Sequence, residues 1–348
     1  MAKVIDLFCG IGGLTSGLIQ SGLEVVAGID IDKKCEFAYS VNNKSKFINK
    51  SITNVTASEL NDLYGDDPIK ILVGCAPCQP FSNHQKSKAK KINHKDWGLL
   101  YEFLRVVKEI EPTIVSMENV PTLINEVVFK EFVEGLENLG YFVNYRVHNT
   151  INFGMAQRRK RLLLLASKLG EIQFSNDTEE CKTLRDIIGD LPEINAGETC
   201  ISDRFHVSCN LSELNLKRIK SSKQGGTWED WEKELLPDCY LKDSGSSYKS
   251  VYGRMEYDSI APTLTTQFHS YGTGRFGHPT QDRAISIREG ALLQSFPKDY
   301  IFLPDNEKVQ ISVLTRQIGN AVPPKLGIHI GKSIIQHLKH NNICLVQE

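Results

Sequence analysis

A cysteine and a glutamate are the residues of this sequence with the clearest chemical potential. Cys78 lies in the turn-like segment Gly74 to Ser82, between two prolines that stiffen the chain and remove backbone donors. The charges nearest to it in sequence are lysines, which favour a thiolate. Glu118 follows the apolar run Ile114 to Met117, and a carboxyl at a buried strand end can donate a proton near neutral pH. The pair predicts a nucleophile and a general acid.

Cys78 also forms a Cys-x-x-Cys pattern with Cys75, which suggests two other kinds of site. A redox dithiol is disfavoured because the pattern follows the third strand of a glycine-loop fold rather than a thioredoxin-type unit. A zinc site is disfavoured because no second Cys-x-x-Cys supplies the other ligands. Cys200, His206 and Cys209 lie close together, but their spacing is irregular for a metal site.

A glycine loop near the start of the chain predicts a nucleotide-type cofactor. Gly10, Gly12 and Gly13 follow a predicted strand and precede a predicted helix, although the pattern is not GxGxxG. Asp30 ends the next strand, where an acid can bond ribose hydroxyls. Phe8 could stack on an adenine or pack against the sheet. NAD and S-adenosylmethionine fit these residues equally well.

The elements that must position these side chains alternate between strands and helices. This alternation predicts an α/β domain with a parallel, doubly wound sheet, in which ligands bind at the carboxyl ends of the strands. Phe8, Asp30, Cys78 and Glu118 all lie at such ends. The predicted elements are strands at 4–8, 25–30, 69–73, 114–117 and 161–166 and helices at 14–21, 101–110, 286–294 and 325–338.

Composition sets broad limits on the kind of protein. The 348 residues suffice for two domains, and the 41% hydrophobic and 24% charged residues are ordinary for a globular protein. No apolar stretch reaches about 18 residues, so no membrane span is expected. The N-terminus does not resemble a signal peptide, and the nine cysteines form no framework. We therefore predict a cytoplasmic protein.

Local charge says more about partners than the net charge of −1. Basic residues cluster at Lys86 to Lys95, at Arg158 to Arg161 and at Lys217 to Lys223. Each cluster could be a solvated face, but the first two flank the catalytic candidates, which favours phosphate contacts there. The irregular, glycine- and serine-rich stretch after Leu191 predicts a smaller second domain.

With these residues in view, the chain resembles the bacterial DNA cytosine-C5 methyltransferases from end to end. Pro-Cys-Gln at Cys78 and Glu-Asn-Val at Glu118 are the most specific features. The matching blocks, in family order, are 6–18, 74–82, 117–120, 157–166, 288–297 and 317–324.

This resemblance implies a role for each block. Cys78 would attack C6 of cytosine, Glu118 would contact N3, and Asn119 would assist beside it. Arg161 would hold a flipped base, with Arg159 supporting the site. S-adenosylmethionine, leaving as S-adenosylhomocysteine, would be the cofactor, and no metal is implied. The residues implied at the cofactor site are Phe8, Gly10, Gly12, Asp30, Ser51, Leu100, Asn320 and Val322.

Two positions depart from the family pattern. Ser51 stands where an acidic residue usually contacts the adenine amino group, and its hydroxyl can still bond that group. Lys160 stands where a glutamate is common, and we expect it to point away from the site with little effect.

The resemblance also implies the organisation and partners of the protein. Its fold would be the Rossmann-like class I methyltransferase sheet with a smaller, irregular target-recognition domain. Residues 1–190 and 312–348 would form the catalytic domain, 191–285 the target-recognition domain and 286–311 a connecting hinge. The substrate would be double-stranded DNA, bound by a monomer, with a restriction endonuclease as a further partner. Because duplex DNA hides C6, the base must be flipped, and the basic segment Ser82 to Lys95 would support that step as a mobile loop.

Three other functions compete with this interpretation. An RNA methyltransferase of the same family is disfavoured because the Cys-Phe-Thr tripeptide of the tRNA-acting branch is absent. A catalytically inactive DNA-binding regulator would not need the thiol, acid and arginine together. An NAD-dependent dehydrogenase would explain only the glycine loop and Asp30.

Overall fold

A computed structural model describes residues 2–77, 98–241 and 249–343 of the chain. Cys78 and the basic segment Ser82 to Lys95 lie outside these residues. The chain forms two compact units. The first comprises Met1–Phe153, Lys160–Thr178 and Val322–Glu348, and the second comprises Gly154–Arg159 and Glu179–Ala321. These limits differ from the predicted domain boundaries at 190, 285 and 311. The assignment of target recognition to 191–285 stays a prediction.

The first unit is built on a seven-stranded sheet with the order β3-β2-β1-β4-β5-β7-β6. The strands are β1 (Ala2–Leu7), β2 (Glu24–Asp30), β3 (Lys46–Asn49), β4 (Ile69–Gly74), β5 (Ile114–Asn119), β6 (Phe142–Asn149) and β7 (Lys160–Ser167). β3 and β6 were not predicted, because both are edge strands with mixed polarity.

The prediction of a parallel sheet is correct for β1 to β5 and wrong for β7. β1 to β5 pair in parallel, whereas β7 is antiparallel to both β5 and β6. The link between β6 and β7 contains only a short 3-10 turn, Thr150–Asn152. Parallel neighbours need a crossover of a dozen or more residues, so this short link can only reverse the chain direction.

Helices flank the sheet and form the framework of the second unit. They are α1 (Gly13–Ser21), α2 (Glu36–Asn43), α3 (Ala57–Tyr64), α4 (Gly98–Ile110), α5 (Val127–Asn138), α6 (Leu184–Ile188), α7 (Glu213–Ser221), α8 (Ile287–Leu293), α9 (Ile311–Asn320) and α10 (Pro324–His340). Within the described residues, no helix is both long and apolar enough to span a membrane.

Local sequence explains where these helices begin and end. Gly22 takes the left-handed conformation that ends α1, with φ of 102°, a conformation that glycine adopts without strain. Thr56 and Glu59 form a reciprocal capping box that begins α3. The apolar side of α4, including Phe103 and Val107, is buried.

The sheet has a hydrophobic core on each face, because successive strand residues point to opposite sides. On one face, Leu7 and Leu164 pack with Phe103 of α4 and Phe132 of α5. On the other face, Val4 and Leu163 pack with Leu18 of α1 and Ile330 of α10. Helices on both faces correspond to the predicted doubly wound architecture.

The second unit is irregular, as the sequence predicts, but its core is aromatic. Ile219, Trp231 and Tyr271 are buried together. Arg218 belongs to the basic cluster Lys217 to Lys223, but its guanidinium lies 5.5 Å from the ring of Trp231 and 5.3 Å from that of Tyr252. Its side chain is therefore part of the core and is not available to DNA phosphates. A helical turn puts Arg218 on the inner side of α7, which a count of basic residues does not reveal.

Candidate active site

Residues at the carboxyl ends of three neighbouring strands lie at one edge of the sheet. Leu7 of β1 is in register with Gly74 of β4, and Gly74 is in register with Met117 of β5. Phe8, Cys75 and Glu118 therefore lie on adjacent strands at the carboxyl edge, where ligands of such sheets bind. β5 extends through Asn119, so Glu118 belongs to the strand itself.

Glu118 is the centre of a buried polar cluster in the first unit. Its side chain is 3% exposed. Arg161 of β7 places Nε 2.8 Å from Oε1 of Glu118. Cys75 donates its thiol hydrogen to Oε2 over 2.8 Å. Oε2 therefore accepts a hydrogen bond, whereas Oε1 has the Arg161 ion pair but no hydrogen-bond partner among the described residues.

Cys75 differs from an activated thiol. Burial, and then the neighbouring Glu118 carboxylate, raise the pKa of the Cys75 thiol well above its ordinary value. A protonated thiol is a poor nucleophile. Cys75 therefore serves as a hydrogen-bond donor to Glu118, a role that the sequence did not reveal.

Asn119 connects β5 to the segment that leads to Cys78. Its Nδ2 donates to the carbonyl of Ala76 over 3.0 Å, and its Oδ1 accepts from the backbone N–H of Val120. The side chain is 4% exposed. Asn119 was predicted as catalytic, and its observed contacts are those of a residue that positions the chain before Cys78.

The glycine loop and Asp30 lie together at the same edge, as their spacing suggested. The backbone N–H of Gly10 donates to Oδ2 of Asp30 over 2.8 Å, and that of Asp32 donates to Oδ1 over 2.8 Å. Gly10 and Gly12 have φ of 51° and 86°. Among the residues that the structure describes, no atom lies within 4 Å of a Cβ placed on Gly10, so a ligand has room to approach this backbone.

Residues around the loop provide surfaces that suit an adenosine-type cofactor. Phe8 packs against the core and lies 6.5 Å from Phe103, between ring centroids. Leu100 is 6% exposed, whereas Ile31, directly after Asp30, is 72% exposed. Ser51 bonds the hydroxyl of Thr53 over 2.8 Å. Ile31 was not among the predicted residues, although an apolar residue after a strand-ending acid is a pattern that can be detected in the sequence.

A second buried carboxyl lies beneath the glycine loop. Asp6 of β1 is 1% exposed and accepts a hydrogen bond from Thr15 Oγ1 over 2.7 Å. Burial raises the pKa of Asp6 to about 7. In the sequence, Asp6 is an acid within the apolar run of β1. That pattern could have predicted this buried carboxyl.

The remaining predicted residues lie in different places. Arg159, in the second unit, is 3% exposed and donates to the carbonyls of Leu264 and Gly319. Asn320 ends α9 in the same unit, whereas Val322 is buried in the first unit. Lys160 is exposed. No cofactor contact of these residues is described, and their roles stay predictions.

The contacts around His206 do not suit a metal site. His206 bonds Ser286 through Nδ1 and the carbonyl of Pro192 through Nε2, each over 2.8 Å. Both ring nitrogens are therefore engaged. Among the residues that the structure describes, no group of three histidine, cysteine or acidic side chains could hold a metal ion.

Comparison with known proteins agrees with this geometry. The family model for C-5 cytosine-specific DNA methylase matches residues 2–336. The Type II methylase M.HgiDII of Herpetosiphon aurantiacus is 51% identical over 345 residues, covering 97% of this chain and 96% of that protein. The Type II methyltransferase M1.HphI of Haemophilus parahaemolyticus is 31% identical, covering 95% and 86% respectively.

Solved structures support the fold. A prophage-encoded protein of E. coli, assigned as a DNA modification methyltransferase, superposes with a TM-score of 0.75 at 22% identity, covering 97% of this chain and all of that one. The S. pombe Dnmt2 methyltransferase superposes with a TM-score of 0.65 at 18% identity, covering 98% of this chain and 99% of that one. These likenesses show a shared Rossmann-like methyltransferase fold.

The family match and the 51% identical relative together identify the class of protein. The chain belongs to the C-5 cytosine-specific DNA methylase family. It is a DNA (cytosine-5-)-methyltransferase.

Proposed function

We propose that this chain methylates C5 of a flipped cytosine at a specific sequence in double-stranded DNA, using S-adenosylmethionine and a covalent bond between Cys78 and C6. The observation that carries the proposal is the cluster around Glu118. A buried carboxyl is oriented by Arg161 and Cys75 at the strand end beside the segment that leads to Cys78. This is the setting that an acid directed at a base requires.

The proposed reaction begins with Cys78. Its thiolate adds to C6, forming the S–C6 bond, while Glu118 hydrogen-bonds or protonates N3 to accept the electron density. C5 then becomes an enamine carbon, able to attack an electrophile. S-adenosylmethionine, when bound, supplies that electrophile as a sulfonium methyl group. Water then takes the C5 proton, any proton on N3 returns to Glu118, and the S–C6 bond breaks as the Cys78 thiolate leaves, which restores the aromatic ring.

The contacts of Cys75 support Cys78 as the nucleophile. Cys75 is occupied as a donor to Glu118, and the raised pKa of its thiol opposes thiolate formation. Arg161, beside the same carboxylate, is suitably placed to contact the base. Asn119 would keep the residues before Cys78 at a fixed distance from Glu118.

The proposed cofactor site uses the glycine loop. Each Asp30 oxygen accepts one backbone hydrogen bond and retains a lone pair for the ribose hydroxyls. Gly10 and Gly12 would allow close approach of the methionine part. Phe8, Ile31 and Leu100 would provide apolar surface for adenine, and Ser51 a hydroxyl for its amino group. Val322 and Asn320 remain predicted contacts from the C-terminal part.

The relatives suggest the biological setting. Because proteins named Type II methylases match nearly the whole chain, we propose a place in a restriction-modification system with a cognate endonuclease. We further propose that residues 191–285 select the target sequence, that the protein acts as a monomer on DNA, and that it is cytoplasmic.

One experiment tests the function. The purified protein is incubated with tritiated S-adenosylmethionine and unmethylated DNA, with RNA in a parallel reaction. Bisulfite sequencing of the DNA then identifies the modified bases. We expect label in 5-methylcytosine at a defined DNA motif. Label in RNA alone would indicate an RNA methyltransferase, and binding to DNA without label would indicate an inactive regulator.

A further inference from the structure

A cavity lies in the first unit, beside β6 and β7. It has a volume of about 450 Å³ and is lined by the ends of β6 and β7, residues 175–178 and His329 of α10. Its lining residue His148 is in register with Arg161, whose guanidinium contacts Glu118. The cavity size falls within the range of small-molecule sites.

Buried polar atoms without partners form part of its wall. His329 is 4% exposed, and neither of its ring nitrogens has a hydrogen-bond partner within the described part of the chain. The ring of Phe153 stacks on that of His329 with 4.2 Å between the ring centroids. The ring of Phe174 lies nearly parallel to that of His329, with 6.2 Å between the centroids. His329 lines the cavity, so the polar groups of a ligand bound there could supply the partner that its ring nitrogens lack. Buried polar groups normally have a partner.

His148 adds a second unpartnered group of the same type. Its Nε2 has no partner among the described residues, and its ring lies 5.1 Å from that of His329. Burial lowers the pKa of both imidazoles to about 4, so both are neutral at pH 7. A neutral imidazole offers one donor and one acceptor. A ligand that matches this pair must itself present donors and acceptors, as the edge of a nucleobase does.

The rim of the cavity carries positive charge. Arg146 and Lys160 are exposed and line the cavity. Neither makes a side-chain ion pair within the described residues. Asp177 is the acidic residue in the lining. Its Oδ2 lies 3.4 Å from Nζ of Lys332, which offsets its charge. The rim therefore favours an anion, and arginine and lysine are the usual phosphate-binding residues.

We propose that this cavity binds a phosphorylated nucleoside, with its phosphate at Arg146 and Lys160 and the edge of its base toward His329. The ligand is either a free mononucleotide or one nucleotide of a DNA strand, and the phosphate and base are common to both sources. The site is separate from the glycine loop, so it does not depend on the cofactor assignment.

The test measures binding by calorimetry with S-adenosylhomocysteine present to occupy the glycine loop. The probes are the four deoxynucleoside 5′-monophosphates, inorganic phosphate, and a short DNA duplex. The rim variant is Arg146→Ala/Lys160→Ala. The matched control is Lys46→Ala/Lys130→Ala, which removes two exposed lysines from β3 and α5. His329→Phe removes the two ring nitrogens that would contact the base edge and keeps an aromatic ring at this position.

We expect at least one mononucleotide, or the duplex, to bind the rim variant and His329→Phe about tenfold more weakly than the control, a difference of about 1.4 kcal/mol. An effect on mononucleotides identifies the free ligand, and an effect on the duplex alone identifies the DNA strand. The proposal is overturned if the rim variant binds every probe like the control. It is also overturned if inorganic phosphate binds as tightly as the nucleotides, or if folded His329→Phe binds like wild type. If His329→Phe fails to fold, the rim variant and the comparison of inorganic phosphate with the nucleotides still test the proposal.

Discussion

At the scale of single residues, the Glu118 cluster assigns different tasks to two cysteines three positions apart. Cys75 is a protonated donor beside a carboxylate, whereas Cys78 is the proposed nucleophile. Their surroundings therefore distinguish them, and mutation of each should have a different result.

Cys78→Ser should abolish methyl transfer, because a hydroxyl is a far weaker nucleophile than a thiolate. DNA binding should survive. Turnover is measured with tritiated S-adenosylmethionine, with Cys75→Ser as the matched control that retains a hydrogen-bond donor to Glu118. DNA containing 5-fluorocytosine should trap an adduct on Cys78, since fluorine blocks the final elimination. An adduct on Cys75 would contradict the assignment.

Glu118→Gln should lower turnover by about 10²–10⁴-fold, the usual effect of losing a general acid. The amide keeps the size of the carboxyl and an acceptor for Arg161, so the fold should be retained. Affinity for S-adenosylmethionine without DNA should change little because Glu118 serves the base. If the variant lost cofactor binding instead, the role proposed for Glu118 would be incorrect.

At the scale of elements, the glycine loop depends on close packing of α1 against α10. A Cβ on Gly17 would lie 2.1 Å from the backbone oxygen of Pro324 and 2.7 Å from Cα of Gly327. Neither atom belongs to a flexible side chain, so the two helices would have to separate. The helix that begins at the glycine loop is thus positioned by backbone contact with the C-terminal helix.

Gly17→Ala should therefore destabilise the protein by about 1–3 kcal/mol, the usual cost of overpacking. Alanine favours helices by about 0.5–1 kcal/mol over glycine, so the expected sign is opposite to that of helix propensity. Gly98→Ala is the control, since a Cβ there would meet no atom of the described residues within 4 Å. Urea unfolding measures both variants. Equal or greater stability of Gly17→Ala would show that α1 and α10 can move apart freely.

At the scale of the whole molecule, the two units suggest that catalysis and target selection belong to different parts of the chain. The carboxyl cluster and glycine loop belong to the first unit, and residues 191–285 belong to the second. Exchanging 191–285 for the corresponding segment of a related methyltransferase should change the methylated sequence and leave cofactor affinity intact. Bisulfite sequencing reads the motif. An unchanged motif would mean that this segment does not select the target.

Stability should fall as the pH decreases from about 6.5 toward 4. Burial lowers the pKa of His148, His278 and His329 to about 4, whereas unfolded histidines titrate near 6.5. The unfolded chain therefore takes up more protons in this range, and the stabilisation present above pH 6.5 is lost on acidification. Asp6, whose pKa burial raises to about 7, and Asp30, whose pKa burial also raises, act in the opposite direction, but the three histidines outnumber them.

Denaturant unfolding at pH 7 and pH 5 measures this loss. His329→Asn should make the dependence on pH shallower than in the unchanged protein. The charged neighbours of His329 and His148 are Arg146, Asp177 and Lys332. An unchanged slope in His329→Asn would show that this histidine is not the titrating group.

Much of the fold and of the candidate site could be predicted from local sequence. The helix ending at Gly22 and the apolar strand β7 follow from residue type and periodicity. Glu118 and Asp30 were expected at strand ends because apolar runs stop there. The direction of β7 was not predictable, since an apolar strand has the same pattern whether it runs parallel or antiparallel to its neighbours.

The sequence by itself determined the chemistry available to this protein: a thiol, an acid, an arginine and a glycine loop in a family-specific order. Only the tertiary structure decided that Arg161 and Cys75 contact Glu118, that Arg218 is buried among aromatic rings, and that His148 and His329 line the same cavity. These contacts join residues far apart in the chain. Their distances and burial depend on how the elements pack, and no local pattern specifies that packing.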